Sequence, residues 1–110
     1  MNNMADLYLK NAEIVTETET FRGGVVVEGE KIVQIVEGLP TIEAEQIIDC
    51  DGKVLLPGLV DAHVHFNEPG RENWEGYRTG SMSAAASGVT TFLEMPLNSF
   101  PATLNQNRLE

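Results

Sequence analysis

Cysteine is almost absent from this chain of 110 residues: Cys50 is the only one, so no disulfide can form within the chain. A single thiol is typical of proteins that work in a reducing compartment, which predicts a cytoplasmic location. Basic side chains are also scarce, with 7 Lys and Arg against 17 Asp and Glu and a formal net charge of −10. Because this charge repels phosphate backbones, we expect no nucleic-acid partner.

Long hydrophobic runs are missing as well. No apolar run reaches the ~18 residues that a membrane span needs, so we expect no membrane partner. The first ten residues lack a basic stretch followed by an apolar one, and we therefore expect no secretory signal. Hydrophobic residues make up 42% of the chain and charged residues 22%, which is ordinary for a globular protein and argues against wholesale disorder.

The first half of the chain has the pattern of a β-domain. Short strand-like runs separated by turn residues lie at 7–9, 13–16, 24–28, 32–36 and 45–49, and all but the first contain β-branched residues. The runs on either side of Gly29 predict a β-hairpin, since Gly suits the tight turn between them. Asn11 is a turn residue and predicts that the first two runs are separate strands. Short strands at this spacing favour a sandwich or barrel-like β-domain.

The pattern changes after Gly52 to one strand, a helix and a second strand. The predicted elements are a strand at 59–66, a helix at 79–87, a strand at 89–94 and a loop at 95–101. The helical stretch is small and Ala-rich, which favours helix, and Gly88 suits the position that ends it. A strand-helix-strand unit implies parallel strands within a larger α/β sheet or barrel.

Asp61, His63 and His65 are spaced by two residues on the first of these strands. Alternate residues of a strand point to one face, so the three side chains are expected to converge near the strand's C-terminal end. Two imidazoles on one strand face can reach one metal ion at the usual distance of about 2.0–2.1 Å. A carboxylate one step behind can hold a ligating ring in one tautomer or lie just behind the ligands as a hydrogen-bond partner. Asn98, after the second strand, is expected at the same end.

A bare His-x-His pair more often belongs to ordinary surface or core histidines than to a metal site. Here the context favours a metal, because His63 and His65 are the only two His and Asp61 shares their face. Imidazole suits Zn, Co, Ni, Fe or Cu. Since a catalytic Zn usually has at least three protein ligands, the remaining ligands are expected from outside this chain. Cys50 is expected to be a packing residue, and Glu94 either approaches the site or is structural.

Residues 57–65, with the sequence PGLVDAHVH, resemble the cyclic amidohydrolases of the amidohydrolase superfamily, which include dihydroorotases, hydantoinases and allantoinases. The resemblance covers nearly the whole chain. Dihydroorotases carry an Arg two residues after the second His, and Asn67 in its place cannot make the bidentate pair with a substrate carboxylate. The runs 65–71 and 95–99 look like those of allantoinases. The alternative is a dihydroorotase-like or hydantoinase-type cyclic amidase.

The resemblance implies an α/β fold in two parts. Residues 1–54 are expected to be the N-terminal part of a composite β-sandwich domain. Residues 55–110 are expected to be the truncated start of a TIM-barrel catalytic domain, the first βαβ unit of a (β/α)8 metal-dependent hydrolase barrel. A barrel of this kind needs ~250 residues, so we expect the isolated segment to be inactive.

The resemblance also implies roles for five residues. His63 and His65 match ligands of one metal in a binuclear divalent centre, with Zn first and Co, Mn or Fe as alternatives. Asp61 matches the acidic position behind them, and Asn98 and Asn67 are expected to bind substrate. The family's carboxylated bridging Lys, two further His and catalytic Asp have no counterparts in this chain.

The implied activity is metal-dependent hydrolysis of a cyclic amide C–N bond. In first place this is the opening of allantoin, a small cyclic ureide, to allantoate in purine breakdown. The intact protein is expected to be a homo-oligomer, as tetramers are frequent in the family. A non-catalytic scaffold protein on the same fold is an alternative, but such proteins have lost the metal histidines, whereas His63 and His65 are present. A fragment without function is the third interpretation.

Overall fold

A mixed five-stranded sheet fills the first half of the chain in the computed structural model, which describes residues 4–102. Its strands are β1 (Ala5–Val15), β2 (Thr20–Glu28), β3 (Lys31–Glu37), β4 (Ala44–Asp49) and β5 (Val54–Leu55). β3, β2 and β1 are antiparallel neighbours, while β4 and β5 both pair with β1 in parallel. The hairpin expected around Gly29 is confirmed as β2–β3.

β1 is one strand of 11 residues, so the prediction of two strands separated by a turn at Asn11 is wrong. Asn11 has a left-handed backbone conformation, with φ 61°. This conformation produces an irregularity in the pairing with β2 and does not reverse the chain. Its Nδ2 donates to Asp49 Oδ1 at 2.8 Å, and its Oδ1 accepts Nε–H of Arg22 at 2.9 Å. The contact with Asn11 holds the pKa of the Asp49 carboxyl below its ordinary value. A turn residue here marks a β-bulge.

The buried side chains of this sheet form two small clusters. Their members are Ala5, Tyr8, Val26 and Val36 in one, and Ala12, Ile14 and Val25 in the other. Tyr8 is only 2% exposed, and its hydroxyl donates to the carbonyl of Pro40 at 3.1 Å, which satisfies its polar atom. Cys50 packs against the second cluster, which confirms its expected packing role.

The second half of the chain is a βαβ unit, as predicted. Its elements are β6 (Leu59–Val64), α1 (Tyr77–Ala86) and β7 (Val89–Glu94), and β6 and β7 pair in parallel. β6 ends at Val64 rather than at Phe66, so His65 lies just beyond the strand. The chain divides into two compact units, Met1–Leu56 and Pro57–Glu110. β5 belongs to the first unit because it pairs with β1.

α1 begins two residues earlier than predicted because a distant carboxylate caps it. Glu68 Oε2 accepts the N–H of Tyr77 at 2.7 Å, which satisfies one of the amide groups that the first turn leaves free. The partner lies nine residues upstream, so a local capping pattern does not reveal it. Within residues 4–102, no helix has the length and apolar character needed to cross a membrane.

Candidate metal site

His63 and His65 meet at the C-terminal end of β6. Their Nε2 atoms lie 3.1 Å apart, and the two rings meet edge to face with 5.0 Å between their centroids. Two nitrogens that are 3.1 Å apart and each about 2.0–2.1 Å from one ion subtend an angle of about 100° at that ion. This angle lies between the octahedral and the tetrahedral value. The pair therefore fits two positions of a single divalent metal.

The backbone of Met95, directly after β7, orients the second of these rings. Its carbonyl oxygen lies 2.9 Å from Nδ1 of His65. Because a carbonyl only accepts hydrogen bonds, Nδ1 carries the proton and Nε2 keeps its lone pair for a metal. The N–H of Met95 also donates to the carbonyl of Val64 at 2.8 Å, which ties the ends of the two strands together.

Sequence reasoning missed Met95 because a main-chain carbonyl leaves no signal in the residue type. The available signal was its position, one residue after the strand that pairs with the histidine strand. An orienting contact of this kind raises the basicity of the ligand and holds its ring in place.

Asp61 lies on β6 with an exposed side chain and is turned toward the backbone. Its Oδ1 accepts the main-chain N–H of His63 at 3.0 Å. The sequence left two roles open for this carboxylate, holding a ring in one tautomer or lying just behind the ligands, and its described contact is with the main chain of His63. The orienting role on His65 belongs to Met95 instead. Asp61 thus holds the main chain at His63 in place.

Glu94, at the end of β7, contacts the residue that follows the histidine pair. Its Oε2 accepts the N–H of Phe66 at 2.9 Å, and its Oε1 is buried without a hydrogen-bond partner among the described residues. These contacts favour the structural role over the site role for Glu94.

Burial raises the pKa of the Tyr77 hydroxyl above its ordinary value, and the carboxylates of Glu94 and Glu68 add to the effect.

Phe66 anchors the residues after the histidine pair in the core of this unit. It is 6% exposed and packs edge to face against Phe92 and Tyr77, with centroid distances of 4.7 and 5.4 Å. Gly80 of α1 lies directly against the Phe66 ring, at a position where a Cβ atom would collide with it. Close approach of the helix to this ring therefore depends on a residue without a side chain.

Asn67 and Asn98, both expected to bind substrate, contact each other. Nδ2 of Asn98 donates to Oδ1 of Asn67 at 3.0 Å. The next residues continue the contact, since Ser99 Oγ donates to the carbonyl of Glu68 at 3.0 Å. The two loops thus run side by side beyond the strand ends and extend the parallel arrangement of β6 and β7.

The described residues do not complete a metal site. Across residues 4–102, no group of three or more His, Cys, Asp or Glu side chains is arranged to hold a metal. The two imidazoles fit a metal as a pair, and the expectation that further ligands come from outside this chain stays a prediction.

Comparison with known proteins places the chain in a family. The model of the amidohydrolase family matches residues 54–108, half of the chain. The chain belongs to the amidohydrolase family. Two allantoinases, from Salmonella choleraesuis and Salmonella newport, are each 46% identical to this chain over 105 residues, which is 96% of the chain and 23% of their own length. The chain thus spans about a quarter of the length of these relatives.

This chain also resembles solved structures of hydantoinases. The L-hydantoinase (dihydropyrimidinase) of Arthrobacter aurescens is 32% identical, with a TM-score of 0.84 over 96% of this chain and 23% of its own. The D-hydantoinase of Bacillus sp. AR9 is 29% identical, with a TM-score of 0.70 over 90% of this chain and 22% of its own. The described sheets and helix are therefore consistent with part of the hydantoinase fold.

Proposed function

We propose that this chain carries part of the metal site of an enzyme that hydrolyses a cyclic amide, with allantoin as its first-choice substrate. The observation that carries the proposal is the His63–His65 pair, whose Nε2 atoms are 3.1 Å apart at the end of β6. The 46% identity to allantoinases over 96% of the chain supports the substrate. The product of this reaction is allantoate.

His63 and His65 would hold one divalent metal, Zn in first place, in a centre that we propose to be binuclear. When bound, such a metal acidifies water and polarises the amide carbonyl of the substrate. The chain's own contribution is to bring the Nε2 atoms of two imidazoles to 3.1 Å from each other before the metal arrives. Met95 fixes the tautomer of His65, and Asp61 fixes the backbone of His63. Such contacts behind the ligands reduce the cost of ordering them.

The βαβ unit is proposed to be the first part of a (β/α)8 barrel, and the mixed sheet part of a β-sandwich. Parallel pairing of β6 and β7 across a helix is the repeating unit of such a barrel. In barrels of this type, sites form at the C-terminal strand ends, which is where the two histidines lie. A homotetramer and a cytoplasmic location for the intact protein stay predictions.

The choice among cyclic amides depends on Asn67. Asn presents a neutral donor and acceptor, which suits an uncharged ureide better than a carboxylate such as that of dihydroorotate. The second candidate is a hydantoin or dihydropyrimidine, because the Arthrobacter L-hydantoinase has a TM-score of 0.84 to this chain. These rings also present N–H and C=O groups without requiring a carboxylate contact.

The test is a chimera in which this chain replaces the matching segment of the Salmonella choleraesuis allantoinase. The 46% identity over 105 residues makes the exchange conservative. We expect the chimera to hydrolyse allantoin with a kcat/KM at least about tenfold higher than for dihydroorotate or hydantoin, a difference of about 1.4 kcal/mol in transition-state binding. Initial rates with each substrate, with and without chelator, measure this.

Two controls accompany the chimera. The unaltered relative shows that the assay works, and the isolated 110-residue chain is expected to give no turnover. Faster hydrolysis of dihydroorotate than of allantoin would overturn the proposed substrate. A chimera that folds but hydrolyses none of the three rings would overturn the proposed function as a whole.

A further inference from the structure

Glu94, the last residue of β7, is tied to the residue that follows the histidine pair. Oε2 of its carboxylate accepts the main-chain N–H of Phe66 at 2.9 Å. The next residue along the chain, Met95, holds the two residues before Phe66. Its carbonyl contacts Nδ1 of His65 at 2.9 Å, and its N–H donates to the carbonyl of Val64 at 2.8 Å. Two successive residues at the end of β7 therefore hold three successive residues at and after the end of β6.

The hydrogen bond from Phe66 fixes the peptide group that follows His65. The N–H of one residue and the carbonyl of the residue before it lie in one plane, so a fixed Phe66 N–H sets the ψ angle of His65. Because β6 ends at Val64, this peptide lies beyond the strand, and Glu94 supplies the acceptor there. The Phe66 ring is 6% exposed and packed against two aromatic rings, so this residue is held through its side chain as well.

The Glu94 contact is made at a cost in burial. The side chain is half-buried, and its Oε1 has no hydrogen-bond partner among residues 4–102. Burial of a carboxylate oxygen without a partner is unfavourable, and an apolar side chain of similar size would avoid this loss. A side chain that is unfavourable for packing, and yet holds the backbone next to a candidate ligand, is typical of a functional role.

We propose that Glu94 is a positioning residue for His65 and acts through the main chain of Phe66. Its carboxylate fixes the peptide after this histidine, so that Nδ1 meets the Met95 carbonyl and Nε2 stays 3.1 Å from that of His63. The inference rests on the proposed function, because it assigns a role toward the proposed metal. Loss of the carboxylate therefore weakens metal binding and frees the tautomer of His65, while the fold is retained.

Two substitutions of Glu94 in the chimera separate the hydrogen bond from the packing of the side chain. Glu94→Met keeps the size but leaves only a weak sulfur acceptor, whereas the side-chain oxygen in Glu94→Gln still accepts the N–H of Phe66. We expect Glu94→Met to weaken Zn²⁺ binding about ten- to a hundredfold, and Glu94→Gln to stay within about threefold of the parent chimera. Competition with a chelator measures the dissociation constant for Zn²⁺ without any substrate.

The tautomer of His65 in the metal-free 110-residue chain is the second measurement. At a pH of about 8, where free imidazole is neutral, the nitrogen chemical shifts of the ring distinguish the two tautomers by NMR. We expect the proton on Nδ1 in the parent and in Glu94→Gln, and a mixture of tautomers in Glu94→Met. The matched control is Gly58→Ala, just before β6, where a Cβ atom would collide with the Thr90 side chain. This variant is expected to unfold at lower urea concentration but to keep the tautomer and the Zn²⁺ affinity.

The inference is overturned if Glu94→Met keeps both the tautomer and the Zn²⁺ affinity, if Gly58→Ala changes them as much, or if Glu94→Gln loses both. If Glu94→Met does not fold, Glu94→Ala replaces it. Unfolding of both, while Gly58→Ala stays folded, would show a structural role only and also overturn the inference. An inactive parent chimera would instead contradict the proposed function, and the tautomer comparison would still decide whether Glu94 positions His65.

Discussion

Replacing His63 by alanine in the chimera is expected to lower kcat for allantoin at least about a thousandfold. The substitution removes one of the two Nε2 atoms that lie 3.1 Å apart, so that a single imidazole of this chain is left to bind the metal. We expect the amount of metal bound per protein to fall together with kcat. Initial rates and the metal content of the purified protein, measured by mass spectrometry, check both parts.

His63 has an exposed side chain, so its loss should leave the fold intact. The matched control is Glu17→Gln, an exposed acidic residue in the turn between β1 and β2, which is expected to keep both rate and metal. Circular dichroism should be the same for all three proteins. Near-normal kcat with full metal content in His63→Ala would contradict the assignment of this residue as a ligand.

Gly24→Ala is expected to destabilise the 110-residue chain by about 2–3 kcal/mol. A Cβ atom at this position on β2 would lie 2.5 Å from Cε2 of Tyr8 and 2.7 Å from the carbonyl oxygen of Leu9. The first atom belongs to the most buried large side chain of the sheet, and the second to the paired backbone of β1. Neither can move without loss of packing or pairing. Urea unfolding measures the change.

The control for this prediction is Gly29→Asn in the β2–β3 turn. Gly29 has φ 58°, which Asn adopts readily, and no atom lies within 4 Å of a Cβ placed there. We expect this variant to stay within about 0.5 kcal/mol of the parent chain. Equal unfolding midpoints for Gly24→Ala and Gly29→Asn would show that β2 does not pack against β1 as described.

The sequence predicted the parts of the site that depend on strand periodicity. Because side chains alternate along a strand, the spacing of His63 and His65 was enough to predict that their rings converge. The spacing did not show the role of Met95, since any residue supplies a carbonyl. It placed the Asp61 carboxylate on the face of the two rings but did not show that this carboxylate accepts the main-chain N–H of His63.

The differences between the predicted and the observed fold also arise from information that residue types do not carry. Asn11 carries the residue type of a turn, and only its pairing with strands far along the chain makes it a bulge within β1. The start of α1 depends on Glu68, which a loop brings back to the helix end. Contacts between distant residues decided both cases, and local propensity does not encode them.

The contact between Asn67 and Asn98 also joins residues that are distant in the sequence. Residue types suggested two amides that bind substrate, and the structure adds that Nδ2 of Asn98 donates to Oδ1 of Asn67. Side chains brought together across 31 residues were beyond prediction from spacing alone.

Anomalous diffraction at the zinc edge, from crystals of the chimera grown with Zn²⁺, tests the central claim most directly. The account predicts an anomalous peak at about 2.0–2.1 Å from Nε2 of both His63 and His65, with Nδ1 of His65 still against the Met95 carbonyl. A peak bound through Nδ1, or zinc elsewhere with none between these two rings, would contradict it.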